Sequence, residues 1–354
     1  MENMVRASST KFWRGKRVLI TGHTGFKGSW LAYWLTRLGA DVIGLGLPPA
    51  TSPALHDLLR LDELIDGHHS DIRDLPGFKR IVSAARPQII FHLAAQAFVR
   101  ESYSDPVTTF ATNIMGTVHA LEVIRSTPSV VCAVFITTDK VYENKEWAYP
   151  YREIDQLGGH DPYSSSKAAC ELAISSYRSA FMEKGPAIAS ARAGNVIGGG
   201  DWSRDRIIPD AVRAWEAGLP LKLRHPNATR PWQHVLDCLH GYLILAERLA
   251  ISATFAEAWN FGPTHESTKS TGELIDTARL AYGRGTVDPL AENGGPHESQ
   301  TLSLDITKSF ERLGASPRWN FRTAVQRTMD WYQRHSLGVS ARDLCDADLD
   351  AYEK

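Results

Sequence analysis

Residues 16–35 read KRVLITGHTGFKGSWLAYWL, and this stretch decides the fold. Its first six residues read as a short buried strand, and a helical pattern begins at Ser29. Between the two lie Gly22, Gly25 and Gly28, where glycine permits a tight turn and close approach of a ligand to the backbone. The N–H groups at the start of the helix are free to bind an anion. The stretch predicts a dinucleotide site, although its spacing is Gly-x-x-Gly-x-x-Gly rather than the commoner Gly-x-Gly-x-x-Gly.

Apolar runs recur after this turn, and each is followed by a segment long enough for a helix. With the first strand, the runs are 18–21, 41–45, 89–93, 130–137 and 187–191. This alternation is typical of a parallel sheet covered by helices, so we expect an α/β fold with a doubly wound, Rossmann-type sheet. Ligands bind such a sheet beyond the carboxyl ends of its strands. The segments that follow these strands are therefore predicted to converge on one cleft.

The regular alternation is lost after about residue 196, where Pro209, Pro220, Pro226 and Pro231 and several polar turns interrupt the pattern. We predict two parts: residues 1–195 as the dinucleotide-binding Rossmann domain, and residues 196–354 as mainly a smaller C-terminal lobe for the substrate. A helix near 236–249 and a strand near 258–262 are expected to return to the first part. The boundary is therefore interleaved rather than a linker.

A second motif places Tyr163 and Lys167 four residues apart, in YSSSK, downstream of the Thr138 hydroxyl. Residues four apart share one face of a helix, so the Lys167 ammonium is expected to lower the pKa of the Tyr163 phenol. A tyrosine that ionises near neutral pH can take a proton from a sugar hydroxyl, and the Thr138 hydroxyl can bind the same oxygen. Thr137 would take that place if the strand ended one residue earlier.

Composition excludes several classes of protein. The formal net charge is −1 and no block of Lys and Arg is long enough to follow phosphates, so we expect no nucleic-acid partner. The four cysteines lie far apart without Cys-x-x-Cys spacing, and we expect no metal site and no disulfide framework. No apolar run approaches the roughly 18–20 residues that span a bilayer. Residues 1–15 are too polar for a signal peptide, so we expect a cytoplasmic protein with no membrane partner.

With these motifs in this order, the chain resembles the extended short-chain dehydrogenase/reductase superfamily. Within the superfamily it is most similar to the CDP-glucose 4,6-dehydratases. The segments that carry the resemblance span most of the chain and are 22–30, 92–95, 138–142, 157–163, 191–202 and 228–235. The narrower assignment rests chiefly on Asp139-Lys140 and on the run from Arg230 to His234.

The resemblance implies NAD as the cofactor and a nucleotide sugar as the substrate, with CDP-glucose favoured. It also implies oxidation at C4 of the sugar, loss of water across C5–C6 and return of the hydride to C6. Lys140 is then the base that removes the C5 proton, and Asp139 is the acid that protonates the C6 hydroxyl. These roles require a neutral amine at Lys140 and a protonated carboxyl at Asp139. In dTDP-glucose dehydratases a glutamate holds the position of Lys140.

Two sets of binding residues complete the predicted site. The cofactor set contains the turn, an adenine contact and the catalytic pair: Gly22, Gly25, Phe26, Gly28, Asp71, Ile72, Ala94, Tyr163 and Lys167. The substrate set contains groups that can bind a diphosphate or a sugar: Arg192, Asn195, Arg206, Arg230 and His234. The second strand ends in Leu45-Gly46-Leu47, with no acid to bind a ribose 2′-hydroxyl and no basic cluster for a 2′-phosphate. NAD is therefore preferred to NADP on the resemblance and on the redox balance of the reaction.

Two other functions remain open from the sequence. A 4-epimerase or 4-reductase of another nucleotide sugar would have the same fold but would not need Asp139 and Lys140 as an acid–base pair. A non-catalytic protein that senses dinucleotides would not need Thr138, Tyr163 and Lys167. The resemblance further implies a homodimer or homotetramer, with a four-helix contact built from helices near 106–125 and 163–182.

Overall fold

The structure, a computed structural model, describes residues 10–183, 185–288 and 301–354. Its centre is a seven-stranded parallel sheet. These strands are β1 Arg17–Thr21, β2 Asp41–Gly46, β3 Asp66–His69, β4 Ile89–His92, β5 Cys132–Ile136, β6 Ala187–Ala193 and β11 Ala258–Phe261. They lie in the order β11-β6-β5-β4-β1-β2-β3, which reverses between β1 and β4 as in a doubly wound sheet. The predicted fold class is confirmed.

Strand β1 explains why the sheet is buried on both faces. Val18 and Ile20 belong to one apolar cluster, whereas Leu19 belongs to a second cluster on the opposite face, because successive side chains of a strand point to opposite sides. All three side chains are fully buried. Leu19 lies opposite Ile43 of β2 and Ile90 of β4, so the sheet centre is apolar throughout.

Strand β3 was not predicted, and its composition gives the reason. Its four residues read DGHH, and it is an edge strand that pairs with β2 alone. An edge strand has water on one side and needs no continuous apolar run, so periodicity does not reveal it.

Helices cover both faces of the sheet, and further helices build the C-terminal lobe. Their bounds are Phe26–Arg37, Leu55–Leu59, Leu75–Ala85, Val99–Ser104, Pro106–Phe110, Gly116–Arg125, Pro162–Phe181, Ile207–Glu216, Val235–Ile251, Thr271–Tyr282, Thr307–Leu313, Phe321–Ser336 and Ala341–Glu353. The helix predicted over 106–125 is two α-helices joined by a π-helical turn at Ala111–Met115. Among the described residues, no helix is both long and apolar enough to cross a membrane.

The chain returns to the sheet after building part of the smaller lobe. Helix Val235–Ile251 packs against β5 and β6, and β11 then adds to the edge of the sheet beside β6. Within its described residues the smaller lobe contains three two-stranded sheets, formed by β7 Val196–Ile197, β8 Leu221–Lys222, β9 Thr229–Pro231, β10 Gln233–His234, β12 Thr268–Ser270 and β13 Val287–Asp288. A cleft opens where this lobe faces the carboxyl ends of the central strands.

Candidate active site

The cleft contains a cavity of about 300 Å³ with walls from both parts of the chain. Seven of the predicted catalytic and substrate residues line it: Thr138, Asp139, Lys140, Tyr163, Asn195, Arg206 and Arg230. They come from segments up to 92 positions apart in the sequence: most follow a strand or begin a helix, and Arg230 lies within β9 of the smaller lobe. The fold therefore places the acid, the bases and the arginines around one volume.

Thr138 begins the segment that follows β5. It is the N-cap of a short 3₁₀ turn, Asp139–Val141, and its Oγ1 accepts a hydrogen bond from the Lys140 backbone N–H at 3.3 Å. The same hydroxyl donates to Oδ1 of Asp139 at 2.9 Å. Thr137, the alternative, also lines the cavity, but its Oγ1 donates to the buried Glu171 at 2.6 Å and is not shared with Asp139.

Tyr163 lies in the first turn of helix Pro162–Phe181, which Asp161 caps by accepting from the Ser164 N–H at 2.9 Å. Burial raises the pKa of the Tyr163 phenol to about 12, while a hydrogen bond with Thr138 and the charge of Arg206 act in the opposite direction. The expected lowering of this pKa is therefore not found. Desolvation of the phenolate exceeds the favourable contacts, and helix spacing alone does not reveal burial.

Lys167 is buried one turn along the same helix, and its Nζ donates to the Ile136 backbone oxygen at 3.3 Å. Burial lowers the pKa of Lys167, with the neighbouring charge of Lys27 acting in the same direction. The contact to Ile136 holds the ammonium beneath the end of β5. The lysine is thus placed between the sheet and the cavity.

Asp139 is nearly fully buried, and burial raises the pKa of its carboxyl against the opposing charge of Lys140. Within the described residues its Oδ2 has no hydrogen-bond partner. Both features favour a protonated carboxyl, the form that an acid needs. Lys140 is only partly buried at the cavity wall.

The glycine turn fits the pyrophosphate of a dinucleotide. Gly22 has φ of 77° and its Cα lies against Ala94, while a Cβ on Gly28 would meet the Gly22 oxygen at 2.0 Å. A Cβ on Gly25 would meet only that same oxygen, at 3.5 Å, so the space outside Gly25 is open. Gly25 is also the N-cap of helix Phe26–Arg37, whose first turn offers its N–H groups to an anion. The turn is closed where it packs and open where a phosphate would bind.

The predicted adenine contacts lie farther along the sheet edge. The Asp71 carboxylate is 2.6 Å from Nη2 of Arg73, which lowers the pKa of that carboxyl. Ile72 is buried against Gly116. At the end of β2, the oxygen of the exposed Leu47 accepts a hydrogen bond from Thr24, and residues 45–49 include no carboxylate. The residues fit a dinucleotide without the usual acidic contact to its ribose.

Two predicted substrate residues lie outside the cavity. Arg192 is buried behind it, with Nη2 2.9 Å from Oε2 of Glu171. His234 is also buried; its Nδ1 caps helix Val235–Ile251 by accepting from the Leu236 N–H, and its ring packs on Trp319. Both side chains already have protein partners, so the structure gives them structural contacts rather than a place at the substrate.

The cavity has further charged residues that the sequence prediction omitted. Lys27, inside the glycine turn, lines the cavity. Arg100 and Arg224 approach Oδ1 of Asp205 at 3.6 and 3.5 Å, one from each wall. Lys27 could have been noticed as a cation within a phosphate-binding turn. Arg100 could not, because nothing in its local sequence separates it from a solvated arginine.

No metal site is evident: no group of three or more His, Cys, Asp or Glu side chains in the described ranges could hold an ion.

The buried amide of Asn113, in the π-helical turn, fixes the cavity wall. It accepts from the Gln96 N–H at 2.8 Å and donates to the Ser166 hydroxyl at 2.8 Å. It thereby ties the loop after β4 to the helix that carries Tyr163.

Comparisons with known proteins agree with this geometry. The family model for GDP-mannose 4,6 dehydratase matches residues 19–328. The CDP-glucose 4,6-dehydratase of Salmonella typhimurium is 44% identical over 340 residues, which cover 94% of each chain. The structure of a dTDP-glucose 4,6-dehydratase from Streptomyces venezuelae with NAD bound is 25% identical with a TM-score of 0.74, over 91% of this chain and 98% of that one. A UDP-glucose 4-epimerase from Thermus thermophilus in complex with NAD is 26% identical with a TM-score of 0.78, over 90% and 99%.

Proposed function

We propose a function from one premise: the chain belongs to the GDP-mannose 4,6 dehydratase family. That membership confirms the family resemblance predicted from the sequence. The chain is an NAD-dependent nucleotide-sugar 4,6-dehydratase, and the substrate we propose is CDP-D-glucose, with CDP-4-keto-6-deoxy-D-glucose as the product. The 44% identity to a CDP-glucose 4,6-dehydratase supports this choice of nucleotide.

The observation that carries the proposal is the direct succession of Thr138, Asp139 and Lys140 in the cavity wall, beside Tyr163. An alcohol oxidation alone would need the hydroxyl and the phenol. The neighbouring carboxyl and amine supply the second acid–base pair that loss of water requires. NAD, when bound at the glycine turn, would accept the hydride from C4 and return it to C6.

The residues divide the proton transfers between them. Tyr163 accepts the proton of the C4 hydroxyl, and Thr138 orients that oxygen. The C4 ketone then acidifies the C5 proton, which Lys140 removes, while Asp139 gives its proton to the departing C6 hydroxyl. The bond between C6 and oxygen breaks, a C5–C6 double bond forms, and the later addition of hydride at C6 and a proton at C5 restores the single bond. Water is the net loss.

Ionising Tyr163 is the costly step, because burial raises the pKa of the phenol to about 12. The hydrogen bond with Thr138 and the charge of Arg206 favour the phenolate. A substrate that fills the cavity would replace the remaining water around these groups, and each electrostatic contact would strengthen. Arg206 therefore serves both the diphosphate and the base in our proposal.

Four cations supply the proposed contacts to the substrate diphosphate. They line the cavity on both of its walls and are Arg100, Arg206, Arg224 and Arg230. Guanidinium groups match phosphate oxygens in bidentate geometry. Asn195 lines the same cavity and is proposed to bind the sugar. The arginines bind the diphosphate of any nucleotide, so they set the substrate class and leave the base to other contacts.

The epimerase is the closest rival function, since a UDP-glucose 4-epimerase shares this fold. The fold therefore does not discriminate between the two reactions. Asp139 and Lys140 do, because an epimerase has no water to remove. A dinucleotide sensor would have no use for the acid–base pair either.

The test is incubation of the chain and NAD with CDP-, dTDP-, UDP- and GDP-glucose, followed by mass analysis of the products. We expect a product lighter by one water from CDP-glucose and none from the other three. An epimer of unchanged mass would support the rival enzyme. Absence of any product from all four sugars would reject the enzymatic proposal.

We also propose that the enzyme is a cytoplasmic homodimer or homotetramer. All four cysteines are free and buried, as is usual in a reducing compartment.

Several apolar side chains are exposed on or between the helices predicted to form the subunit contact: Val107, Phe110, Met115, Leu172 and Phe181. Light scattering of the purified protein tests the proposed oligomeric state, and a monomeric mass would reject it.

A further inference from the structure

Behind the cavity lies a buried ion pair that the proposed chemistry does not use. Nη2 of Arg192 is 2.9 Å from Oε2 of Glu171, and the two side chains are 4% and 3% exposed. Arg192 lowers the pKa of Glu171 against the effect of burial, and Glu171 in turn raises that of Arg192. The pair is therefore ionised although water does not reach it.

The pair is connected to both ends of the catalytic segment. Glu171 accepts from Thr137 Oγ1 at 2.6 Å, immediately before Thr138. Arg192 donates to the Tyr142 hydroxyl at 2.9 Å, immediately after the 3₁₀ turn Asp139–Val141, and its guanidinium lies over that ring at 5.1 Å. The acid and base of the elimination are thus enclosed between two anchors of one ion pair.

The anchor shares a helix with the general base. Tyr163, Lys167 and Glu171 follow at intervals of four in helix Pro162–Phe181, so they lie along one face of it. The distance between Tyr163 and the segment carrying Asp139 is therefore set by two rigid connections: the helix itself and the Thr137–Glu171 hydrogen bond. A shift of the segment would displace Asp139 and Lys140 together with Thr138, whereas Tyr163, the base of the C4 oxidation, would stay in place on its helix.

We propose that Glu171 and Arg192 are positioning residues that hold Asp139 and Lys140 at the sugar C5–C6 bond. The inference rests on the proposed dehydratase function. A buried ion pair contributes little net stability compared with apolar side chains of similar volume, so stability alone does not account for it. Positioning of the reacting groups accounts for the pair, because a displacement of about 1 Å at a reacting centre can reduce a rate by ~10².

A matched pair of substitutions separates positioning from general support. Thr137→Val and Ser190→Ala each remove one hydroxyl that donates to Glu171, at 2.6 and 2.7 Å. Ser190 lies within β6, and its loss leaves both anchors of the segment intact. Glu171→Gln removes the charge that pairs with Arg192, and Thr137→Val tests the same connection should that variant fail to fold.

The measurement is a single turnover with NAD and CDP-glucose that follows hydride transfer from C4 and formation of the dehydrated product separately. In Thr137→Val and Glu171→Gln we expect product formation to fall by ~10² while C4 oxidation falls much less, so that enzyme-bound reduced cofactor accumulates. Exchange of the C5 proton with deuterated solvent should fall in parallel. Ser190→Ala should show the same ratio of C4 oxidation to dehydration as the wild-type enzyme. All variants should bind NAD as the wild type does.

Equal losses of both steps, or wild-type partition in Thr137→Val and Glu171→Gln, would overturn the positioning role. The same partition defect in Ser190→Ala would also overturn it, since that variant keeps the anchors. If the wild-type chain itself dehydrates none of the four nucleotide sugars, the proposed function fails instead. The two failures are therefore distinguishable.

Discussion

The chemistry that we propose depends on side chains that share one buried environment but need opposite protonation states. Tyr163 and Asp139 are both buried, and burial raises the pKa of each. For Asp139 this favours the protonated form that an acid needs. For Tyr163 it opposes the ionised form that a base needs. Burial in this cavity therefore favours the protonation state that the proposed elimination needs and opposes the one that the proposed oxidation needs.

Tyr163→Phe should abolish oxidation at C4 and leave NAD binding nearly intact, because only the hydroxyl is removed. Loss of a general base typically reduces a rate by ~10²–10⁴. A single-turnover assay of hydride transfer, paired with an NAD titration, measures both quantities. Near-normal turnover by the Phe variant would remove Tyr163 from the mechanism.

Lys140→Met should still permit C4 oxidation but should stall before water is lost, since no base remains for the C5 proton. Bound reduced cofactor should accumulate after mixing with CDP-glucose, and solvent deuterium should not enter C5. Asp139→Asn should stall at the same stage yet still exchange the C5 proton, because the base survives. The 6-deoxy product formed by both variants at the wild-type rate would make the pair structural and favour the epimerase.

Single residues also mark the limit of sequence-based prediction here. Tyr163, Thr138 and Asp139 were placed together because each follows a recognisable strand or opens a helix. Arg192 was assigned to the substrate because an arginine near a strand end can bind a phosphate. Its partner Glu171 is 21 positions away, and only the folded chain reveals that the two form a buried pair.

The first helix illustrates how an element makes a binding site. Gly28 packs its Cα against the backbone of Gly22, and the turn would be forced open by a side chain there. Gly25 has an ordinary extended conformation, φ −80° and ψ 169°, and free space outside it. Gly28 is therefore needed for close backbone packing, whereas Gly25 leaves space for a ligand.

Substitution by alanine should separate these reasons. Gly28→Ala should lower stability by about 1–3 kcal/mol through overpacking and should weaken NAD binding as a consequence. Gly25→Ala should keep the wild-type melting temperature and still weaken NAD binding, because its methyl group occupies the place of the phosphate. Thermal melts and NAD titrations of both variants measure this. Equal melting temperatures and equal NAD affinities would contradict the packing argument.

The strands of the central sheet were predictable because each buried strand is apolar, as in the run Val18–Ile20. Strand β3 was not predicted because it is a polar edge strand. The helix over 106–125 was predicted as continuous, whereas a π-helical turn interrupts it where Asn113 bonds to the neighbouring loop. Tertiary contacts of this kind leave no periodic signal.

The last two helices of the chain pack against each other, and a charged pair lies between them. Asp348, in helix Ala341–Glu353, is buried 3.7 Å from Arg327 of helix Phe321–Ser336. Burial raises the pKa of its carboxyl from 3.8 to about 7. The folded state therefore favours the protonated form more than the unfolded state does.

This shift has a defined effect on stability. Its contribution is fully present below pH 4 and is lost as the pH rises towards 7, and by linkage it amounts to at most about 4 kcal/mol. Asp348→Asn should accordingly raise the melting temperature at pH 8 relative to the wild type and have little effect at pH 4. Melts across that range test this. A variant that is destabilised at pH 8 would mean that the ion pair with Arg327 outweighs the cost of burial.

The whole reaction can be followed with one labelled substrate, CDP-glucose carrying deuterium at C4. Because NAD accepts the C4 hydride and returns it within one active site, the label should appear at C6 of the 4-keto-6-deoxy product in the same molecule, without release of reduced cofactor. Mass and NMR analysis of the product locates the label. Deuterium that remains at C4, or that leaves in stoichiometric free reduced cofactor, would contradict the assignment of this chain as a 4,6-dehydratase.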